Sequence, residues 1–221
     1  MRQRPAAVLF DLDGTLADSA PGLADAANDM RTARGMPPLA YEQLRPAVGS
    51  GARGMVGTAF SLRPGDPGYD ALRDEFLQRY EVRMLEKTQL FKGVDALLET
   101  LAVHGLPWGI VTNKALRFAV PLTRALGLMP SRGALVGGDS TAHTKPHPAP
   151  LLEAARRLDV MPTACVYVGD DHRDILAGRA AGMGAIAAGW GYLGHEAIVE
   201  HWGADTVLSH PLELLQWLEL A

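Results

Sequence analysis

The sequence predicts an α/β fold in which a mostly parallel sheet is covered by helices on both faces and interrupted near its start by a helical insertion. Three observations lead there. Short, continuously apolar runs such as Ala7–Phe10, bounded by polar and glycine residues, have the pattern of strands buried on both sides. From Gly93 onward such runs alternate with stretches of helical period, the arrangement that builds a parallel sheet. Between residues 39 and 83 glycine, proline and arginine are frequent, the periodicity is helical, and no strand pattern occurs.

In chain order, the first strand runs into Asp11-Leu12-Asp13-Gly14-Thr15, so two carboxylates leave its carboxyl end one residue apart. That edge is where open α/β sheets bind ligands, although Asp13-Gly14 also reads as a simple polar turn. Asp18 to Gly35 reads as a helix, with Ser19 as its cap, Pro21 in its first turn, and Leu23, Ala26, Ala27, Met30 and Ala33 on one face. Helical patterns around Gly54 to Phe60 and Tyr69 to Met84 fill the insertion. Beyond it come helix Val94 to His104, strand Trp108 to Val111, helix Ala115 to Leu126 and strand Ala134 to Val136. Helix Ala149 to Leu158, strand Cys165 to Val168, helix His172 to Ala181 and strand Ala185 to Ala188 follow, and a strand and helix between Thr206 and Leu220 close the series.

Composition narrows the function. A chain of 221 residues, 48% of them hydrophobic, can bury a full core, and a net charge of −4 with no basic block offers no footprint for nucleic acid or an anionic membrane. The expected partner is a small molecule, bound by a monomer or homodimer. Cys165 is the single cysteine and lies in an apolar run, which excludes an internal disulfide and points to a packed strand residue in a reducing compartment. The run Ala6 to Phe10 is too short for a signal-peptide core and no segment has the length of a membrane span, so a cytoplasmic protein is expected.

The strand ends carry the chemistry. Gly109-Ile110-Val111 ends at Thr112-Asn113; Leu135-Val136 runs into Gly137-Gly138-Asp139, with Lys145-Pro146 soon after; Val166-Tyr167-Val168 ends at Gly169-Asp170-Asp171, with Asp174 next. Together they make a phosphate and magnesium site. Mg²⁺ takes hard oxygen ligands, which Asp11, Asp170 and Asp174 supply, while a lysine suits phosphoryl oxygens and a hydroxyl with backbone N–H groups completes the donors. Taken singly, Lys145 reads equally as a loop lysine, Thr112 as a helix cap and Asp174 as first-turn helix charge. Their succession at consecutive strand ends favours the site.

These segments, Asp11-Leu12-Asp13-Gly14-Thr15, Thr112-Asn113, Lys145-Pro146 and Gly169-Asp170-Asp171-His172-Arg173-Asp174, resemble the four ordered motifs of the haloacid dehalogenase superfamily of phosphohydrolases. The resemblance implies a Rossmann-like core, residues 1–16 and 84–221, with an α-helical cap at 17–83. It implies Asp11 as nucleophile, Asp13 as general acid and base, and Thr112, Asn113 and Lys145 as holders of the phosphoryl group. Mg²⁺ would be arranged by Asp11, the Asp13 carbonyl, Asp170 and Asp174, with the choice between Asp171 and Asp174 as the second acid left open. The reaction implied is phosphomonoester hydrolysis through an aspartyl phosphate.

Rival readings weigh less. A dehalogenase of this superfamily lacks the second aspartate, present here as Asp13. Phosphonate hydrolysis needs a cap lysine, and Ala17 to Arg83 holds no lysine and no histidine, which also disfavours a phosphosugar mutase, the main alternative. Gly49-Ser50-Gly51-Ala52-Arg53-Gly54 fits G-x-G-x-x-G, but no strand precedes it, so a glycine-rich cap loop is expected rather than a dinucleotide site. In overall layout and length the chain resembles the phosphoglycolate phosphatase branch of the superfamily, while stretches such as Gly49 to Val56 and Trp108 to Lys114 look closer to its N-acetylmuramate 6-phosphate phosphatase branch, and both substrates bear a carboxylate. Gly51 would then let the loop approach, and Arg53 would grip the carboxylate, its other reading being a solvated surface charge. Trp190 and Tyr192 read either as borders of the site or as packing aromatics.

Overall fold

The computed structural model describes residues 4–194 and 198–220. Its centre is a six-stranded, wholly parallel sheet. The strands are β1 (Ala7–Phe10), β4 (Trp108–Val111), β5 (Leu135–Val136), β6 (Cys165–Gly169), β7 (Gly184–Ala188) and β8 (Thr206–Leu208), in the order β5-β4-β1-β6-β7-β8. Successive strand residues face opposite sides. Val8 and Phe10 of β1 and Val166 and Val168 of β6 therefore enter one core, and Ala7, Leu9, Cys165 and Tyr167 the other. The first core is closed by α5 (Val94–Val103), α6 (Leu116–Ala125) and α9 (Glu213–Trp217), the second by α7 (Ala149–Leu158) and α8 (His172–Ala180). Burial on both faces explains why the strands read as unbroken apolar runs.

β1 lies between β4 and β6, so the chain passes to one side of it for β4 and β5 and to the other for β6 to β8. A crevice opens at the carboxyl ends of the strands where such an order reverses. Asp11, Thr112 and Asp170 directly follow or end the strands that border it.

Between β1 and β4 the chain forms α1 (Ala20–Thr32), α2 (Tyr41–Leu44), a 3-10 turn (Arg45–Ser50), α3 (Gly51–Phe60) and α4 (Tyr69–Arg83). These helices bury their own cluster, with Leu23, Met30, Leu44, Met55, Phe76 and Tyr80 at its centre. A two-residue antiparallel pair, β2 (Ala17–Asp18) with β3 (Gln89–Leu90), ties the ends of the segment together.

Three local expectations are corrected. Ala33 is exposed just past the end of α1, and Arg31 is buried instead, because its guanidinium donates to the carbonyls of Pro37 and Ala59. Ser19 occupies the N-cap position of α1, but its hydroxyl makes no capping bond there and is used elsewhere. The stretch Gly49 to Gly54 is no open loop: it is the end of the 3-10 turn and the first turn of α3. Gly54 is required by packing, since a Cβ there would stand 2.3 Å from the Ala47 carbonyl oxygen.

Candidate active site

Asp11 and Asp170 leave neighbouring strands, and α8 begins immediately after β6, which brings Asp174 alongside them. One oxygen of each carboxylate lies within 4.8 Å of the others. Asp174, not Asp171, completes this cluster. Asp171 caps α8, accepting from the Arg173 N–H at 2.9 Å, and pairs with the Arg173 guanidinium at 2.7 Å. Glycines make the crowding possible: a Cβ on Gly14 would stand 2.1 Å from Asp170 Oδ2, and one on Gly169 2.4 Å from Asp174 Cγ. Gly14 also has a φ of +89°, which few other residues adopt.

Lys145 is the buried cation facing these acids. Its Nζ lies 2.9 Å from Asp11 Oδ1 and 2.7 Å from Asp174 Oδ1, and it donates to the Val111 carbonyl at 3.0 Å and to the Tyr167 hydroxyl at 2.8 Å. Burial opposes its charge, yet Asp11 and Asp174 keep its pKa above the ordinary lysine value. Burial raises Asp11 to about 7 against the pull of Lys145, and with help from Asp11 and Asp174 it holds Asp170 well above the usual carboxylate range. With all three acids ionised around one cation, negative charge would be in excess. An all-oxygen donor set in that state fits a hard divalent cation, which would relieve the repulsion.

Thr112 is buried where β4 ends, and its hydroxyl accepts from the Lys114 N–H at 3.2 Å; the following helix starts at Leu116, so Thr112 is not its cap. Asn113 is turned to a use the sequence did not disclose: its side-chain amide holds the backbone of Lys145 through two hydrogen bonds. Asp13 lines the same cavity, and one of its oxygens accepts from Ser19 Oγ at 2.5 Å and from Lys114 Nζ at 2.7 Å.

The cavity measures about 340 Å³. The strand ends form its floor, with Asp11, Asp13, Thr112, Lys145, Asp170 and Asp174 in its lining. Its opposite wall is apolar and comes largely from the helical segment: Leu23, Val48, Phe76, Leu77 and Tyr80. Gly51 lines it with a φ of +58°. Arg53, in the first turn of α3, is exposed and is not among the lining residues. Arg117, Lys114 and Arg173 line it instead.

A family model of haloacid dehalogenase-like hydrolases matches residues 8–188, a span that includes every motif in this floor. The chain belongs to that family. It is 48% identical to a phosphoglycolate phosphatase of Xanthomonas campestris pv. campestris over 211 residues, 95% of each chain. It is 42% identical to an N-acetylmuramic acid 6-phosphate phosphatase of Pseudomonas aeruginosa over 220 residues, 100% of this chain and 97% of the other. The crystal structure of a predicted phosphoglycolate phosphatase from Haemophilus somnus superposes with a TM-score of 0.85 at 24% identity, covering 98% of this chain and 99% of that one, a likeness of fold.

Within this family site, Trp190 and Tyr192, which the sequence left open between site borders and packing aromatics, bond to its parts, and Arg173 of the fourth motif reaches the helical segment. Trp190 Nε1 donates to the Thr15 carbonyl and the Tyr192 N–H to Asp170 Oδ2, so both the loop after β1 and an acid of the cluster are fixed by the segment following β7. Arg173 bridges Asp171 to the Gly49 carbonyl in the helical segment. Lys114 had a visible signal, since it directly follows Thr112-Asn113; Tyr80 had none beyond its place on a helix face.

Proposed function

We propose that the chain is a Mg²⁺-dependent phosphomonoesterase that acts through an aspartyl phosphate on a small, carboxylate-bearing phosphate ester. The observation that carries the proposal is the meeting of Asp11, Asp170 and Asp174 with Lys145 at the switch point of the sheet. The family and the named activities of its relatives support it. In this reading the helical segment, residues 17–83, acts as a cap over the core formed by 1–16 and 84–221, and the β2–β3 pair supports a second boundary nearer Gln89.

Asp11 is the nucleophile. Its attack on phosphorus expels the leaving-group oxygen, to which Asp13 gives a proton; Asp13 then takes a proton from the water that cleaves the aspartyl phosphate. Lys145 neutralises phosphoryl oxygens and lessens repulsion between the anionic nucleophile and substrate, with the Thr112 hydroxyl and the backbone N–H groups near Asn113 as further donors. Asp11, the Asp13 carbonyl, Asp170 and Asp174 would hold Mg²⁺, which supplies electrostatic stabilisation of charge at phosphorus. Among the described residues that the helical segment contributes to the cavity wall, Tyr80 is the one with an ionisable group. That favours transfer to water over the mutase alternative, which needs a second acid–base group above the sugar.

A turnover panel of phosphoglycolate, N-acetylmuramate 6-phosphate and simple sugar phosphates, run with Mg²⁺ and with excess chelator, tests this. Metal-dependent release of phosphate from a carboxylate-bearing ester is expected. Undiminished turnover in chelator would overturn it.

A further inference from the structure

Lys114 lies outside the set assigned above to phosphate and metal, yet it is almost fully enclosed, its side chain 10% exposed. Burying an ammonium is costly unless partners replace water. Its partners are Asp13 Oδ1 and the Tyr80 hydroxyl, each at 2.7 Å, and the nitrogen sits 4.8 Å from the centre of the Tyr80 ring. Burial opposes its charge, but Asp13 and Tyr80 together hold its pKa above the ordinary lysine value.

Both donors to Asp13, Lys114 and Ser19, take the same oxygen. Oδ2 has no hydrogen bond among the described residues, and Asp13 lines the cavity. A carboxylate on freely turning side-chain bonds has several orientations, and two donors fixed on one oxygen select one of them. The three groups come from different places: Lys114 from the loop after β4, Ser19 from the start of α1, and Tyr80 from the last turn of α4. They meet only when α4 lies over the strand ends.

We propose that Lys114 is a positioning residue for Asp13: it holds Oδ1 so that Oδ2 faces first the leaving-group oxygen and then the attacking water, and its bond to Tyr80 makes that orientation depend on the helical segment being seated. The inference rests on Asp13 being the acid and base.

The test compares an alkyl ester, phosphoglycolate, with p-nitrophenyl phosphate, whose leaving group departs without a proton. Asp13→Asn is expected to lose ~10²-fold more kcat/KM on the alkyl ester than on the aryl one. Lys114→Met should show the same bias at ~10–10²-fold, and Tyr80→Phe a smaller bias of the same sign. The ratio between substrates does not depend on how much protein is folded. With p-nitrophenyl phosphate, rapid quench of Lys114→Met should show accumulated aspartyl phosphate, because water activation is the step left slow. Adding Lys114→Met to Asp13→Asn should cost little further. Equal losses on both esters, or additive losses in the double variant, would overturn the role of Lys114; an unbiased Tyr80→Phe would overturn its link to the helical segment. If Asp13→Asn itself shows no bias, the assignment of Asp13 is what has failed.

Discussion

Asn113 and Lys145 clasp one another: Asn113 Oδ1 accepts from the Lys145 backbone N–H at 2.9 Å, and Asn113 Nδ2 donates to the Lys145 carbonyl at 3.0 Å. The loop that carries the buried cation is thus pinned to the end of β4, the strand beside the one that delivers Asp11. Losing both bonds in Asn113→Ala should cost about 2 kcal/mol of stability, at about 1 kcal/mol for each bond, and lower kcat/KM ~10–10²-fold by loosening Lys145. Urea unfolding and steady-state kinetics check this. A raised KM with unchanged stability would instead make the amide a substrate ligand.

Cation binding should release protons near neutrality. Burial raises Asp11 to about 7 and holds Asp170 well above the usual range, so in the metal-free protein these groups retain protons that a cation must displace. Affinity for Mg²⁺ should therefore rise as pH rises through about 7. Calorimetric titration in buffers of different ionisation enthalpy measures the protons released, and a pH-independent affinity between 6 and 8 would contradict the assignment.

The expectation for Arg53 meets a competitor. Arg117 lines the cavity, has its guanidinium carbon 4.4 Å from the centre of the Phe118 ring, and makes no ion pair among the described residues, whereas Arg53, exposed like Arg117, is not among the lining residues. A guanidinium held over a ring by cation–π contact still has N–H donors to offer a carboxylate. Arg117→Ala should cost ~10–10²-fold in kcat/KM on a carboxylate-bearing ester and much less on p-nitrophenyl phosphate. If Arg53→Ala shows that pattern and Arg117→Ala does not, α3 must move when substrate binds.

The sheet was legible because a strand buried on both faces has to be apolar throughout and must stop where polar residues begin. Ala7–Phe10 and Cys165–Gly169 show this, and both end in the acids they deliver. The helical segment was legible only in outline. The two-residue strands β2 and β3 have no periodicity to detect, α2 is a single turn, and Arg31 is buried by carbonyls outside its own helix, those of Pro37 and Ala59.

In the site, the strand-end motifs marked which side chains would gather, but not the use each would find. Asn113 turns to the Lys145 backbone across 32 residues, and Ser19 turns from the helix it begins to Asp13 in the loop before it, pairings that no local pattern marks. Asp171 and Asp174 are equivalent in sequence. The geometry of a helix N-terminus separates them, one becoming the cap bound to Arg173 and the other reaching Lys145.

The central claim is that Asp11 takes the phosphoryl group. The direct measurement is rapid-quench mass spectrometry of Asp13→Asn with p-nitrophenyl phosphate, since Asp11 should still attack phosphorus in that variant while the base that activates water is lost. The account predicts a phosphate on Asp11 that is absent from Asp11→Asn. A phosphate on any other residue, or turnover by Asp11→Asn at the rate of the unaltered enzyme, would contradict it.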